Sequence, residues 1–98
     1  MYIHLLGGRV IEFDDVKREI TLFVRGLDMA RANEVFAAPH MDQIDSRKNY
    51  GEVRISTFGY LDDQPVFLAW TYRGSRRRII SMRRANEREI KKYQGRMG

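Results

Sequence analysis

At 98 residues, with 43% hydrophobic and 11% aromatic side chains, the chain has the length and apolar content of one folded domain, taken as residues 1–98, and is not an intrinsically disordered segment. It contains no cysteine, which excludes a disulfide framework and a thiolate zinc site. The net charge of +5 is unevenly spread: residues 1–72 hold 8 Lys/Arg against 11 Asp/Glu, whereas residues 73–98 hold 10 against 2. A mildly acidic body with a strongly basic C-terminal quarter makes a directed field that attracts polyphosphate.

The N-terminal stretch "MYIHLLGGRVIEFDD" has no basic residue ahead of its short apolar run, so no signal peptide is expected. No apolar run reaches the roughly 20 residues needed to span a bilayer. The expected location is the cytoplasm, with no membrane contact. "YIHLL", the turn signal "GGR" and "RVIEF" predict an N-terminal hairpin or one strand with a frayed start.

Asp14 then reads as a helix N-cap and Asp15 as a first-turn acid. In that helix Val16, Ile20, Phe23 and Val24 form an apolar face, and Lys17, Thr21 and Arg25 form a polar stripe at i, i+4, i+8. Gly26 is placed to stop the helix. A second helix starts after Asp28, buries Met29, Ala32 and Phe36, and ends before Pro39. "PHMDQIDSRKNYGE" reads as a loop.

Three strand-like runs follow, "EVRISTFGY", "PVFLAWTY" and "RRRIISM", joined by the compact connectors "LDDQP" and "RGSR". They predict an antiparallel meander. Asn86 and Glu89 form an arrangement close to a capping box and open a short basic helix containing Ile90 and Tyr93. The predicted class is α+β: a small antiparallel sheet, a three-strand meander plus the N-terminal strand or hairpin, with helices packed on one face.

Strict alternation covers Val53, Ile55, Leu68, Trp70, Ile80 and Met82 with the helices. It leaves Glu52, Arg54, Ser56, Thr71, Arg77, Ser81 and Arg83 on the opposite face, and puts Arg78 and Arg84 on the helix-facing side near its ends. A one-residue bulge would exchange the faces of any strand. Arginine forks match phosphate oxygens bidentately, so the open face is a candidate phosphate site.

Several stretches resemble a known family. "FDDVK" followed by a "RGL" turn, "AxxVF" with a nearby proline, "YGEVR", a glycine near residue 59 and above all "RIISMRRANEREIKKY" are similar to the BrnT toxins of bacterial BrnT/BrnA toxin–antitoxin pairs, over about Phe13 to Tyr93. The resemblance implies a RelE-like fold and a metal- and cofactor-independent ribonuclease that arrests translation by cutting RNA, including ribosome-associated mRNA. It also implies a BrnA-like antitoxin that neutralises the toxin in a heterotetramer of two toxins and two antitoxins. Asp14, Lys17, Glu52, Arg54, Arg78, Ser81, Arg83 and Arg84 match the family pattern. The chain departs from it at Val24-Arg25-Gly26, where family members usually have "KHG", and at Thr21, where they usually have asparagine.

Metal-free RNA cleavage needs a base for the 2′-OH, cations for the phosphorane and an acid for the leaving oxygen. Arg54 and Arg83 are the expected phosphorane clamp. Lys17, Arg25, Arg77, Arg78 and Arg84 are the expected RNA contacts. Glu52 is a base or an ion-pair partner that orients Arg54, and Tyr72 is a candidate proton donor. Lys17 and Arg25 taken alone would read as ordinary surface charges. His4 and His40 support no metal site. Trp70, Phe58 and Tyr60 read as packing, with Phe58 and Tyr60 also able to stack a base if exposed. The competing reading is a BrnT-like module, weakened or inactivated by the departures, that binds antitoxin or RNA without cutting. A DNA-binding domain is disfavoured because no helix-turn-helix is evident.

Overall fold

The computed structural model describes residues 10–47 and 49–97. Of the expected N-terminal hairpin, "YIHLL" and its turn lie outside these residues, as does His4, and the "RVIEF" segment supplies the first strand. Five strands, β1 (Ile11–Phe13), β2 (Met41–Ile44), β3 (Arg54–Leu61), β4 (Gln64–Arg73) and β5 (Arg76–Arg84), form one sheet in the order β1-β5-β4-β3-β2. The predicted meander β3-β4-β5 is antiparallel throughout. The sheet is nevertheless mixed, because β1 pairs in parallel with β5. β2 lies inside the stretch expected to be a loop and pairs antiparallel with β3 at the far edge.

The helices form where local chemistry specifies them. In α1 (Asp15–Arg25), the Asp14 carboxylate accepts from the Lys17 amide at 2.9 Å, and Gly26 closes the helix at φ 70°. A residue with no Cβ carries that left-handed cap at little cost. Asp28 caps a 3-10 turn (Met29–Arg31) that runs into α2 (Ala32–Phe36). α3 (Glu87–Met97) opens on the predicted capping box: the Asn86 amide donates to Glu89 Oε1 at 2.9 Å, and the Glu89 amide donates to Asn86 Oδ1 at 2.8 Å.

Helices cover both sheet faces, which corrects the one-faced expectation. The main core joins Leu27, Met29, Ala32 and Val35 to Ile55, Leu68, Trp70, Ile79 and Met82. α2 sits so close to β3 that a Cβ on Gly59 would lie 2.6 Å from Val35 Cγ1. On the other face Tyr93 of α3 stacks on Phe58 with ring centroids 5.6 Å apart and meets Phe67 edge-on at 5.3 Å. Phe58 and Trp70 are therefore packing residues, and Phe58 offers no ring to a base.

A bulge in β5 corrects the alternation. Ala69 pairs with Ser81 but Trp70 pairs with Ile79, leaving Ile80 as the extra residue. Ile79, not Ile80, enters the core, and Val53 lies outside the strand with half its surface exposed. The bulge also exchanges two arginines: Arg77 moves to the helix-covered face and Arg78 to the opposite one.

Candidate nucleic-acid interface

α3 covers only part of its sheet face. It packs over Phe58 and Phe67, while the rows defined by Arg54↔Thr71↔Arg78 and Ser56↔Ala69↔Ser81 lie beyond that cluster. At one end of the open rows, Arg54 is held by two neighbours. Its guanidinium lies 4.0 Å from the centre of the Tyr50 ring, and its Nε is 3.4 Å from Glu52 Oε2. Glu52 also faces Arg73 at 3.6 Å, so one carboxylate stands between two guanidinium groups.

The loop beneath is pinned by Asp45. Its carboxylate accepts from Arg47 at 2.9 Å and from the Tyr50 hydroxyl at 3.3 Å. The Arg47 hydrogen bonds hold this carboxyl down at about 2, below the ordinary 3.8. Asp45, Tyr50 and Arg73 were not singled out from the sequence; "YGEVR" was the available signal, since Tyr50, Glu52 and Arg54 alternate within it. Arg78 shares a row with Arg54, with buried Thr71 between them, and its side chain makes no hydrogen bond or ion pair to a described residue.

At the sheet edge, α1 takes the place of β1 beside β5 once β1 has ended. Arg25 Nη1 donates to the Met82 carbonyl at 2.8 Å, and Arg84 Nη1 donates to the Arg25 carbonyl. The polar stripe of α1 is thereby turned inward, with Thr21 its one buried residue. Lys17, Thr21 and Arg25 line a cavity of about 320 Å³ with Ile20, Val24 and Ser81. Ser81 belongs to the same sheet face as Arg54 and Arg78, so cavity and open rows form one surface.

Three predicted cations are placed differently. Arg77 lies 3.8 Å from the Phe36 ring centre and 5.1 Å from that of Trp70, as part of the covered face. It is a packing cation and not part of the open surface. Arg84, on the same side, donates to Gln64 at 2.9 Å and ties down α1. Arg83 is on the open face, but its fork is bonded to Glu89 at 2.9 and 2.8 Å. That pairing raises the Arg83 pKa and lowers that of Glu89. Arg83 is level with Phe67, four residues along β4 from Thr71, or about 13 Å at the usual strand rise. Arg54 and Arg83 therefore do not share a row. Tyr72 packs against Trp70 at 5.0 Å, on the face away from Arg54, which separates it from the open arginines.

No curated protein matches the chain. A family model described as the ribonuclease toxin BrnT of type II toxin–antitoxin systems matches residues 13–89, more than three quarters of the length. The matched span begins at the last residue of β1, ends in the first turn of α3, and contains every residue of the cavity and of the open rows. The chain belongs to the BrnT family of ribonuclease toxins, proteins that act on RNA and are paired with an antitoxin.

Proposed function

We propose that the open rows of the sheet and the α1–β5 cavity form one RNA-cleaving site. The observation that carries this is continuity: Lys17, Thr21 and Arg25 meet Ser81 in one cavity, and Ser81 shares its sheet face with Arg54 and Arg78. A strand of RNA lies across β3, β4 and β5 with one phosphate between Arg54 and Arg78. These guanidinium groups stabilise the negative charge that builds as the 2′-oxygen attacks phosphorus. Glu52, beside Arg54, takes the 2′-OH proton. Lys17 is the ammonium at the cavity and the candidate donor to the departing 5′-oxygen. The reaction draws its charge stabilisation from arginine and lysine and is metal-independent.

The wider role follows from the family. The fold is RelE-like, cleavage in the cytoplasm arrests translation on ribosome-associated mRNA, and a BrnA-like antitoxin neutralises the toxin in a heterotetramer. A second reading has its own observation. Arg25, standing where the family usually has histidine, is bonded to the Met82 carbonyl, and a guanidinium does not exchange its proton near neutral pH. A protein so altered would bind RNA or antitoxin and cut slowly or not at all.

Incubating the purified chain with a long RNA in EDTA separates the two. Cleavage that leaves 2′,3′-cyclic phosphate ends and falls at least 100-fold in Arg54→Ala and Glu52→Gln supports the enzyme. Folded wild-type protein that binds RNA but leaves it intact at high concentration establishes the binding module instead.

A further inference from the structure

α1 carries an apolar ridge that no described residue covers. Val16, Ile20, Phe23 and Val24 fall on one face of the helix and are 65, 56, 91 and 69% exposed. Such a stripe ordinarily turns toward the core. Here polar bonds hold it outward. Arg18 forks onto Asp28 at 2.7 and 3.0 Å, and Arg25 is tied to Met82, so the opposite side of the helix is fixed against the protein. Exposed apolar groups clustered in this way mark contact surfaces.

From this geometry we infer that the ridge is the docking surface of the antitoxin, which lays an apolar segment along α1. The inference rests on reading the chain as a toxin whose RNA site includes the adjoining cavity. The charges beside the ridge specify the segment. Lys17 lies along one flank and Asp15 and Glu19 along the other, so the partner carries a carboxylate on one side of its apolar strip and cations on the other. The ridge itself has no cation to attract RNA phosphate. Ile20 and Val24 belong both to the ridge and to the cavity wall. A segment seated on the ridge therefore also closes the cavity over Lys17, Arg25 and Ser81. Docking and exclusion of RNA become one event.

The test uses the full chain co-expressed with the protein encoded by the adjacent reading frame. With the photocrosslinker p-benzoylphenylalanine at position 23, illumination should join the chain to an apolar segment of that protein, identified by mass spectrometry. Crosslinking to a second copy of the chain or to its own residues 1–9 overturns the proposal, as does failure of the wild-type chain to co-purify with that protein. Phe23→Glu should weaken capture at least 100-fold, with unchanged circular dichroism and unchanged RNA binding by the free chain. Undiminished capture by Phe23→Glu also overturns it. If free wild-type protein leaves RNA intact while Phe23→Glu still loses its partner, the docking surface stands and the ribonuclease reading fails.

Discussion

Replacing Glu89 with glutamine separates the two roles open to Arg83. Glu89 accepts both arms of the Arg83 fork and also closes the cap of α3 through Asn86. Glutamine keeps the reciprocal cap but removes the charge that Arg83 answers. With 46% and 21% of the two side chains exposed, the pair is partly screened, and its loss should cost about 1 kcal/mol at most. For a chain of this size that is a fall in Tm of about 4–8 °C. The Glu89 carboxyl titrates below its ordinary value because Arg83 is bonded to it. Its stabilisation is therefore fully present above the unfolded-state value of roughly 4.3 and is lost as pH falls through the folded one, so wild type and Glu89→Gln should converge in acid. If Arg83 can meet a phosphate, freeing it should tighten RNA binding. It should also steepen the dependence of log K on log salt by about 0.7, the increment for one added contact on a single strand. Fluorescence anisotropy across a salt series, with thermal melts on the same samples, reads both effects. A lower Tm with an unchanged salt slope would refute a phosphate role for Arg83 and leave it as the bond that fastens α3 to the sheet. Arg83→Ala alone could not decide this, because it removes both roles at once.

The β5 bulge predicts opposite outcomes for neighbouring arginines. Arg77→Ala should destabilise by about 1–3 kcal/mol through lost packing against Phe36 and Trp70, whereas Arg78→Ala should stay within about 0.5 kcal/mol of wild type and lose RNA cleavage. Urea unfolding beside a cleavage assay tests the pair, and the reverse pattern would contradict the bulged register of β5. Asp45→Asn should cost stability at neutral pH and little near pH 2: the native carboxyl titrates at about 2, so its contribution is present above the ordinary value of 3.8 and fades below it. Equal differences from wild type at pH 7 and pH 2 would contradict that. Gly59→Ala should cost about 1–3 kcal/mol through the Val35 contact, and adding Val35→Ala should recover part of the loss, measured as the urea midpoint. Additive losses would show that the two sites do not meet.

Much of the fold was legible where the deciding interactions are local. Asp14, Gly26 and the Asn86–Glu89 box act within one helical turn, and the meander follows from short connectors between apolar runs. The pairing of β1 with β5 was not legible, because it joins distant segments in parallel and no turn links them. β2 escaped notice because "MDQI" is a partly exposed edge strand with little apolar alternation. The position of α3 did leave a signal. Phe58 and Phe67 sit on the face otherwise occupied by Arg54, Ser56 and Ser81, and two large aromatic rings there require a cover. In the candidate site the Glu52–Arg54 pairing follows from two residues of spacing, whereas the Tyr50 ring beneath Arg54 depends on a loop fold that spacing does not give.

The identity of the open-face cations turns on one residue. Before the bulge, alternation carries Arg76 and Arg78 on the open face and Arg77 and Ile79 on the covered one; after it, Ser81 and Arg83 are open and Met82 and Arg84 are covered. Removing Ile80 would leave a regular strand with the same faces, because Ile79 and Ser81 already pair with the consecutive residues Trp70 and Ala69: Ile79 and Met82 stay covered, and Ser81 and Arg83 stay open. Keeping Ile80 without a bulge would force either Ile79 or Met82 out. The segment "RRRIISMRR" reconciles a closed core with an open cationic face only because Ile80 is accommodated as the extra residue. The bulge lies where β1 ends and α1 comes alongside, so the same irregularity that selects Arg78 also brings Ser81 into the cavity with Lys17 and Arg25. An unbulged β5 that kept Ile80 would retain every arginine in the sequence and lose the surface that unites them.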